Sequence, residues 1–94
     1  LVRLMVVRTA EIFNLPGKGE IVIGHDADLT MVDMDARWTF DKEACFTKAR
    51  EVMRFAHNMP MQGKVMRTMV RGETIYNDGK IVGTPGHGRW LKPA

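Results

Sequence analysis

Cysteine is almost missing from this sequence: among 94 residues only Cys45 carries a thiol, so no disulfide can form within the chain. That suits a reducing compartment, and the cytoplasm is the expected location. Long apolar runs are missing as well. None approaches the ~18–20 residues that cross a bilayer, and no charged n-region followed by an apolar stretch and a small-residue cleavage site marks a signal peptide. Histidine is scarce, and His25, His57 and His87 stand far apart with no His-x-His and no Cys-x-x-Cys. The usual metal-ligand spacing is therefore absent, and surface or turn positions are expected for all three. Nor is there a run of one charge. Lys and Arg are scattered from Arg3 to Lys92 with acids between them, for a net charge of +3. A basic stripe of the kind that reads nucleic acid is lacking, so a solvated mixed-charge surface is expected, with neither nucleic acid nor membrane as partner. There is no internal repeat and no low-complexity tract.

What is present suffices for one small domain. Hydrophobic residues make up 45% and charged residues 27%, a mixture that argues against intrinsic disorder. Val2, Met5, Val6, Ala10 and Phe13 recur at three- and four-residue steps, which predicts helix over 2–15. Thr9 is expected to cap a second short helix there, with Glu11 in its first turn. Asn14, followed by Pro16 and Gly17, is expected to stop the helix in a left-handed conformation. Ile21-Val22-Ile23 and Leu29-Thr30-Met31-Val32 read as strands separated by a turn at Gly24 to Asp26. Asp33 to Arg37 reads as a polar break, and Trp38-Thr39-Phe40 as a third short strand.

The pattern then changes. Ala44, Cys45, Ala49, Val52, Met53 and Ala56 fall on one stripe, which predicts an amphipathic helix over 42–57, ended by Asn58 and Pro60. Lys64 to Arg71 returns to strand, Arg71-Gly72-Glu73 turns, and Thr74-Ile75-Tyr76 and Lys80-Ile81-Val82 flank a hairpin at Asn77-Asp78-Gly79. The Gly- and Pro-rich tail from Gly83 holds Trp90 and Leu91 as its last apolar anchors. The expected class is α+β.

No residue pattern here carries chemistry. Asp26, Asp28, Asp33 and Asp35 lack the central glycine and fixed offsets of a calcium loop, and are expected at turns and strand ends. Cys45 would need an adjacent base to act as a nucleophile, and its place on the apolar stripe points to packing. Gly86 and Gly88 precede Arg89-Trp90 rather than the Lys-Ser/Thr of a phosphate loop. The methionines are expected to fill core gaps.

Four ordered segments carry a family resemblance. Gly19 to Asp33 resembles the "G-x-I-x-x-G-x-D-A-D-L-x-x-x-D" signature of the amidohydrolase superfamily. Thr9 to Leu15 looks like its "N-P-A-x-x-F-G-L" helix, with Thr9 in place of the proline and Asn14 in place of the glycine. Asn58 to Gly63 is similar to the "N-T-P-F-x-G" loop of the cyclic-amide branch, which comprises dihydroorotase, allantoinase and hydantoinase. Val65 to Gly72, with Ile75-Tyr76 and Asp78-Gly79, is similar to the ending "V-x-x-T-x-V-R-G-x-x-V-Y-x-D-G". Thr47-Lys48 resembles the family's "S-K" element, but the stretch from Lys48 to Pro60 is longer than the family usually has.

The resemblance implies that residues 1–15 are a terminal helical segment that packs on a metal-dependent barrel absent from this chain. Residues 16–94 are then the C-terminal part of a small β-sandwich domain, with an inserted helix near 42–57. It implies a parent enzyme that opens a cyclic amide with one or two divalent metals, usually zinc, whose ligands all precede Leu1. No catalytic, cofactor-binding or metal-binding residue is therefore expected in this piece, and none is named. Dihydroorotate is the first substrate expected, with an allantoinase or hydantoinase parent as the alternative. The implied partners are the missing barrel and N-terminal strands, with self-association or marginal stability in isolation. Two rivals of other classes are a free-standing binding or regulatory module and a basic nucleic-acid binder.

Overall fold

A computed structural model describes all residues 1–94. Its helical start is a π turn, Arg3–Val7, running directly into α1, Arg8–Ile12. Because the backbone is already helical at Val7, no helix begins at Thr9. Thr9 makes no cap, and its carbonyl instead accepts from the Phe13 N–H at 3.1 Å. Glu11 lies in the first turn of α1 as expected. The helix stops where the sequence places the stop. Asn14 has φ +50°, Leu15 N–H donates to the Ala10 carbonyl at 2.9 Å, and Asn14 N–H donates to Glu11 at 3.1 Å. This nested pair of bonds closes a helix on a left-handed residue.

The strands are β1, Leu29–Thr39; β2, Pro60–Val70; β3, Glu73–Asn77; and β4, Lys80–Ile81. They form one four-stranded sheet in the order β1-β2-β3-β4. Three sequence expectations are corrected here. Ile21-Val22-Ile23 is not a strand but irregular backbone that enters a turn at Ile23; β-branched residues make strand only where a neighbour supplies the ladder, and this run is not part of the sheet. The polar stretch 33–37 does not break β1. Asp33 Oδ1 accepts from the N–H groups of Asp35 at 3.0 Å and Ala36 at 3.2 Å, a local substitute for ladder bonds, so 29–39 runs as one strand. The helix expected over 42–57 is absent. In its place are two short 3-10 turns, Lys42–Ala44 and Arg50–Met53. Asp41 Oδ1 accepts from Glu43 N–H at 2.9 Å and Thr47 Oγ1 from Ala49 N–H at 3.1 Å, so side chains take amides an α-helix would use. No continuous apolar face is covered there either: Cys45, Met53 and Ala56 are only half-buried, and Phe46, Val52 and Phe55 are exposed.

The hairpins follow the sequence closely. β2 pairs antiparallel with β3, Val70 opposite Glu73, and β3 with β4, Asn77 opposite Lys80. Each turn has two residues with positive φ, Arg71 (+48°) with Gly72 (+79°) and Asp78 (+43°) with Gly79 (+83°). That geometry matches the twist of the flanking strands. The register shifts between Thr68 and Met69, and the Ile75 carbonyl accepts from both Val82 and Gly83 N–H at 2.9 and 3.1 Å. A Cβ at Gly83 would stand 3.0 Å from that of Ile75.

The chain forms two compact units, Leu1–Met31 with Met66–Ala94, and Val32–Val65. No residue of the chain is buried, and large apolar side chains such as Leu4, Met5, Phe13 and Trp90 are exposed. No helix is long and apolar enough to cross a membrane.

Candidate functional site

Within the first unit, charge gathers around Lys18. The loop after Asn14 carries its ammonium to the acidic residues of the signature-like segment, 2.8 Å from Asp26 Oδ2 and bonded to Asp28 Oδ2. The other Asp28 oxygen accepts from Arg71 N–H at 2.9 Å, and Gly72 N–H donates to the Ala27 carbonyl at 2.9 Å. Asp28 thus binds the loop before β1 to the left-handed β2–β3 turn. The Lys18 bond holds its carboxyl below its ordinary value, against a desolvation effect that raises it, and the Arg71 N–H adds to the lowering. Asp26 first, then Asp28, raises the Lys18 ammonium above its ordinary value.

A shallow hollow of about 260 Å³ opens beside this network, lined in part by Ala10, Asn14, Leu15, Lys18 and His25. It holds one histidine and no cysteine or serine. The arrangement serves structure: a lysine already shared by two carboxylates, and a carboxylate already bonded on both oxygens, have little left for a substrate.

In the second unit, Lys42 Nζ lies 2.8 Å from Glu51 and 3.2 Å from Glu43. Glu51 first, then Glu43, raises the Lys42 ammonium, and Lys42 lowers the Glu51 carboxyl. The two glutamates are exposed, while the Lys42 side chain is mostly covered. His57 Nδ1 accepts from Lys42 N–H at 3.3 Å. The Cys45 thiol donates to the Asp41 carbonyl at 3.7 Å. Cys45 sits at the end of a 3-10 turn rather than on a helix stripe, which corrects its expected setting. Trp38 Nε1 donates to the Gly63 carbonyl at 2.8 Å, and its ring lies 6.2 Å from that of Phe40.

The implied divalent metal does not fit these residues. No group of three His, Cys, Asp or Glu is placed to hold an ion, His57 is bonded to backbone, and both ring nitrogens of His87 meet acceptors, Val70 O at 2.9 Å and Glu73 Oε2 at 3.1 Å. That engagement of His87 is the feature sequence reasoning missed. Its only signal is its place in a tail whose Gly83, Gly86 and Gly88 leave the backbone free to fold back on the hairpin.

No protein-family model matches the chain. Individual proteins do. It is 39% identical over 93 residues to an allantoinase of Desulfitobacterium hafniense, spanning 99% of this chain and 20% of that protein. It is 37% identical over 92 residues to a dihydroorotase of Pyrococcus horikoshii, spanning 98% of this chain and 21% of that protein. Among solved structures it superposes on the L-hydantoinase (dihydropyrimidinase) of Arthrobacter aurescens with a TM-score of 0.83 at 28% identity, over 98% of this chain and 20% of that one. A D-hydantoinase crystal structure matches with a TM-score of 0.76 at 31% identity, over 99% of this chain and 20% of that one. The chain therefore spans about a fifth of the length of the relatives it matches. The matches run over nearly every residue of the chain, and its homologues are allantoinases, dihydroorotases and hydantoinases, members of the amidohydrolase superfamily.

Proposed function

We propose that this chain is the C-terminal, non-catalytic portion of a metal-dependent cyclic amidohydrolase. Its role is to complete the small β-sandwich domain and brace the barrel that carries the chemistry. The observation that carries this is the near-complete coverage of the chain, 99%, by a protein of which it spans only 20%. The absence of any buried side chain adds support: faces bearing Leu4, Met5 and Phe13 suit cover by the rest of a parent chain. The parent hydrolyses the C–N bond of a cyclic amide. Dihydroorotate, allantoin and hydantoin are its candidate substrates, and it works in the cytoplasm. Its metal, zinc, is held by residues outside these 94, so no step of the reaction is assigned to any residue here.

The test compares two proteins, this chain alone and the full-length product of its reading frame, each with zinc, against all three substrates. Ring opening is expected only from the full-length protein, and only with metal present. Turnover by the chain alone, or none by the full-length protein on any of the three, would overturn the proposal.

A further inference from the structure

The sheet has two edges of unequal length. At one edge β4 is only the two residues Lys80–Ile81; a strand so short, with a lysine in it, offers little to another chain. At the other edge β1 runs eleven residues, with β2 on one side of it only. Its outer part, from Val32 to Thr39, lies in the second unit. Just past it, the main-chain groups of Phe40 face the segment that enters β2: the N–H donates to the Met59 carbonyl at 2.9 Å and the carbonyl accepts from Asn58 N–H at 2.8 Å. Successive residues of a strand direct their N–H and C=O to opposite sides, so Thr39, Arg37 and Asp35 direct theirs away from β2. Exposure alternates over the same stretch, with Arg37 and Thr39 exposed and Ala36, Trp38 and Phe40 half-buried.

Two opposite charges stand on that edge. Asp35 and Arg37 are exposed and enter no ion pair within the chain. A twofold axis through Ala36 sets Asp35 of one copy opposite Arg37 of the other, and Arg37 opposite Asp35, in one antiparallel ladder. An axis through Asp35 or Arg37 would instead put two acids or two bases face to face, which is unfavourable. Charge therefore selects the register, and the small side chain of Ala36 leaves room at the axis, where each copy meets itself. We propose that β1 is a self-complementary edge on which a second copy of this chain docks, antiparallel and centred on Ala36. In the free chain Asp33 Oδ1 holds the Asp35 N–H at 3.0 Å, which shields the edge from other strands; on docking that N–H passes to the Arg37 carbonyl of the second copy. The edge belongs to these 94 residues, whatever reaction the parent catalyses.

Sedimentation equilibrium of the whole chain measures the pairing. Asp35→Arg sets two arginines against each other at both crossings, and Arg37→Asp sets two aspartates. Each variant alone should dimerise about tenfold more weakly than the unmodified chain. An equimolar mixture of the two again puts an acid opposite a base at both crossings, and should dimerise as tightly as the unmodified chain. Each variant shifts the net charge of +3 by two units and stays positive, so bulk attraction does not drive the mixed pair. Asp35→Asn, which keeps the shape and loses the charge, should weaken dimerisation about threefold. Hydrogen exchange locates the contact, because protection of the Arg37 and Thr39 amides should rise with chain concentration. A monomeric unmodified chain, charge variants that associate as tightly as it does, a mixture no tighter than its components, or association that leaves the Arg37 and Thr39 amides unprotected overturns the proposal.

Discussion

Asp28 offers the sharpest test of what holds the first unit together. Its two oxygens do different work, Oδ1 on the Arg71 N–H and Oδ2 on the Lys18 ammonium. Asp28→Ala removes both. Asp28→Asn keeps an acceptor for Arg71 and removes only the charge. A hydrogen bond to a charged group contributes about 1.5–3 kcal/mol. The ion pair contributes about 0.2–1 kcal/mol, and the lower half of that range applies here because the Asp28 side chain is 36% exposed. Asp28→Ala is therefore expected to cost about 2 kcal/mol locally, or about thirtyfold in protection of the Arg71 amide. Asp28→Asn loses the ion pair and the charge assistance of the Arg71 bond, and should cost about 1 kcal/mol, or about fivefold. Hydrogen exchange at Arg71 and Gly72 reads both. The pH dependence has a defined sign. The folded carboxyl lies below its ordinary value of 3.8, so its contribution is complete above that value and is lost as pH falls through the lower folded one. The Asp28→Asn variant should show no such loss. Arg71 protection unchanged in Asp28→Ala, or equal losses in the two variants, would refute the reasoning.

Two further outcomes follow from the same structure. Gly19→Ala forces a side chain onto φ +95° with its Cβ 2.7 Å from that of Ala10 on α1; strain alone costs about 1–2 kcal/mol, so far-ultraviolet circular dichroism should show the helix signal lost at a lower denaturant concentration. With no buried core and exposed Leu4, Phe13, Phe46 and Phe55, the isolated chain is expected to self-associate in sedimentation equilibrium as concentration rises, and a monomer with high cooperative stability would contradict that.

How much was legible in the sequence differs from element to element, for physical reasons. Hairpins and helix stops are local. Asp78-Gly79 and Arg71-Gly72 turn with positive φ because a glycine in each pair carries no Cβ penalty, and Asn14 ends its helix by bonds that reach back no further than Ala10. These could be read from a few adjacent residues. So could the family, because its turn-forming and strand-forming residues recur in order.

The failures lie where a distant partner decides. Ile21-Val22-Ile23 has the residues of a strand but joins no sheet. Residues 42–57 carry a helical stripe, but a stripe makes a helix only when something covers it along its length, and Ala44, Ala49 and Val52 stand exposed. Asp33 has the polar character of a break, but its carboxylate serves the amides of Asp35 and Ala36. Sequence by itself determined the turns, the stops and the family, since these depend on backbone freedom within a few residues. Only tertiary structure decided which apolar runs became strands, what Asp28 binds, and that His87 folds back between Val70 and Glu73. Each of those contacts joins groups distant along the chain, and no local pattern specifies its partner.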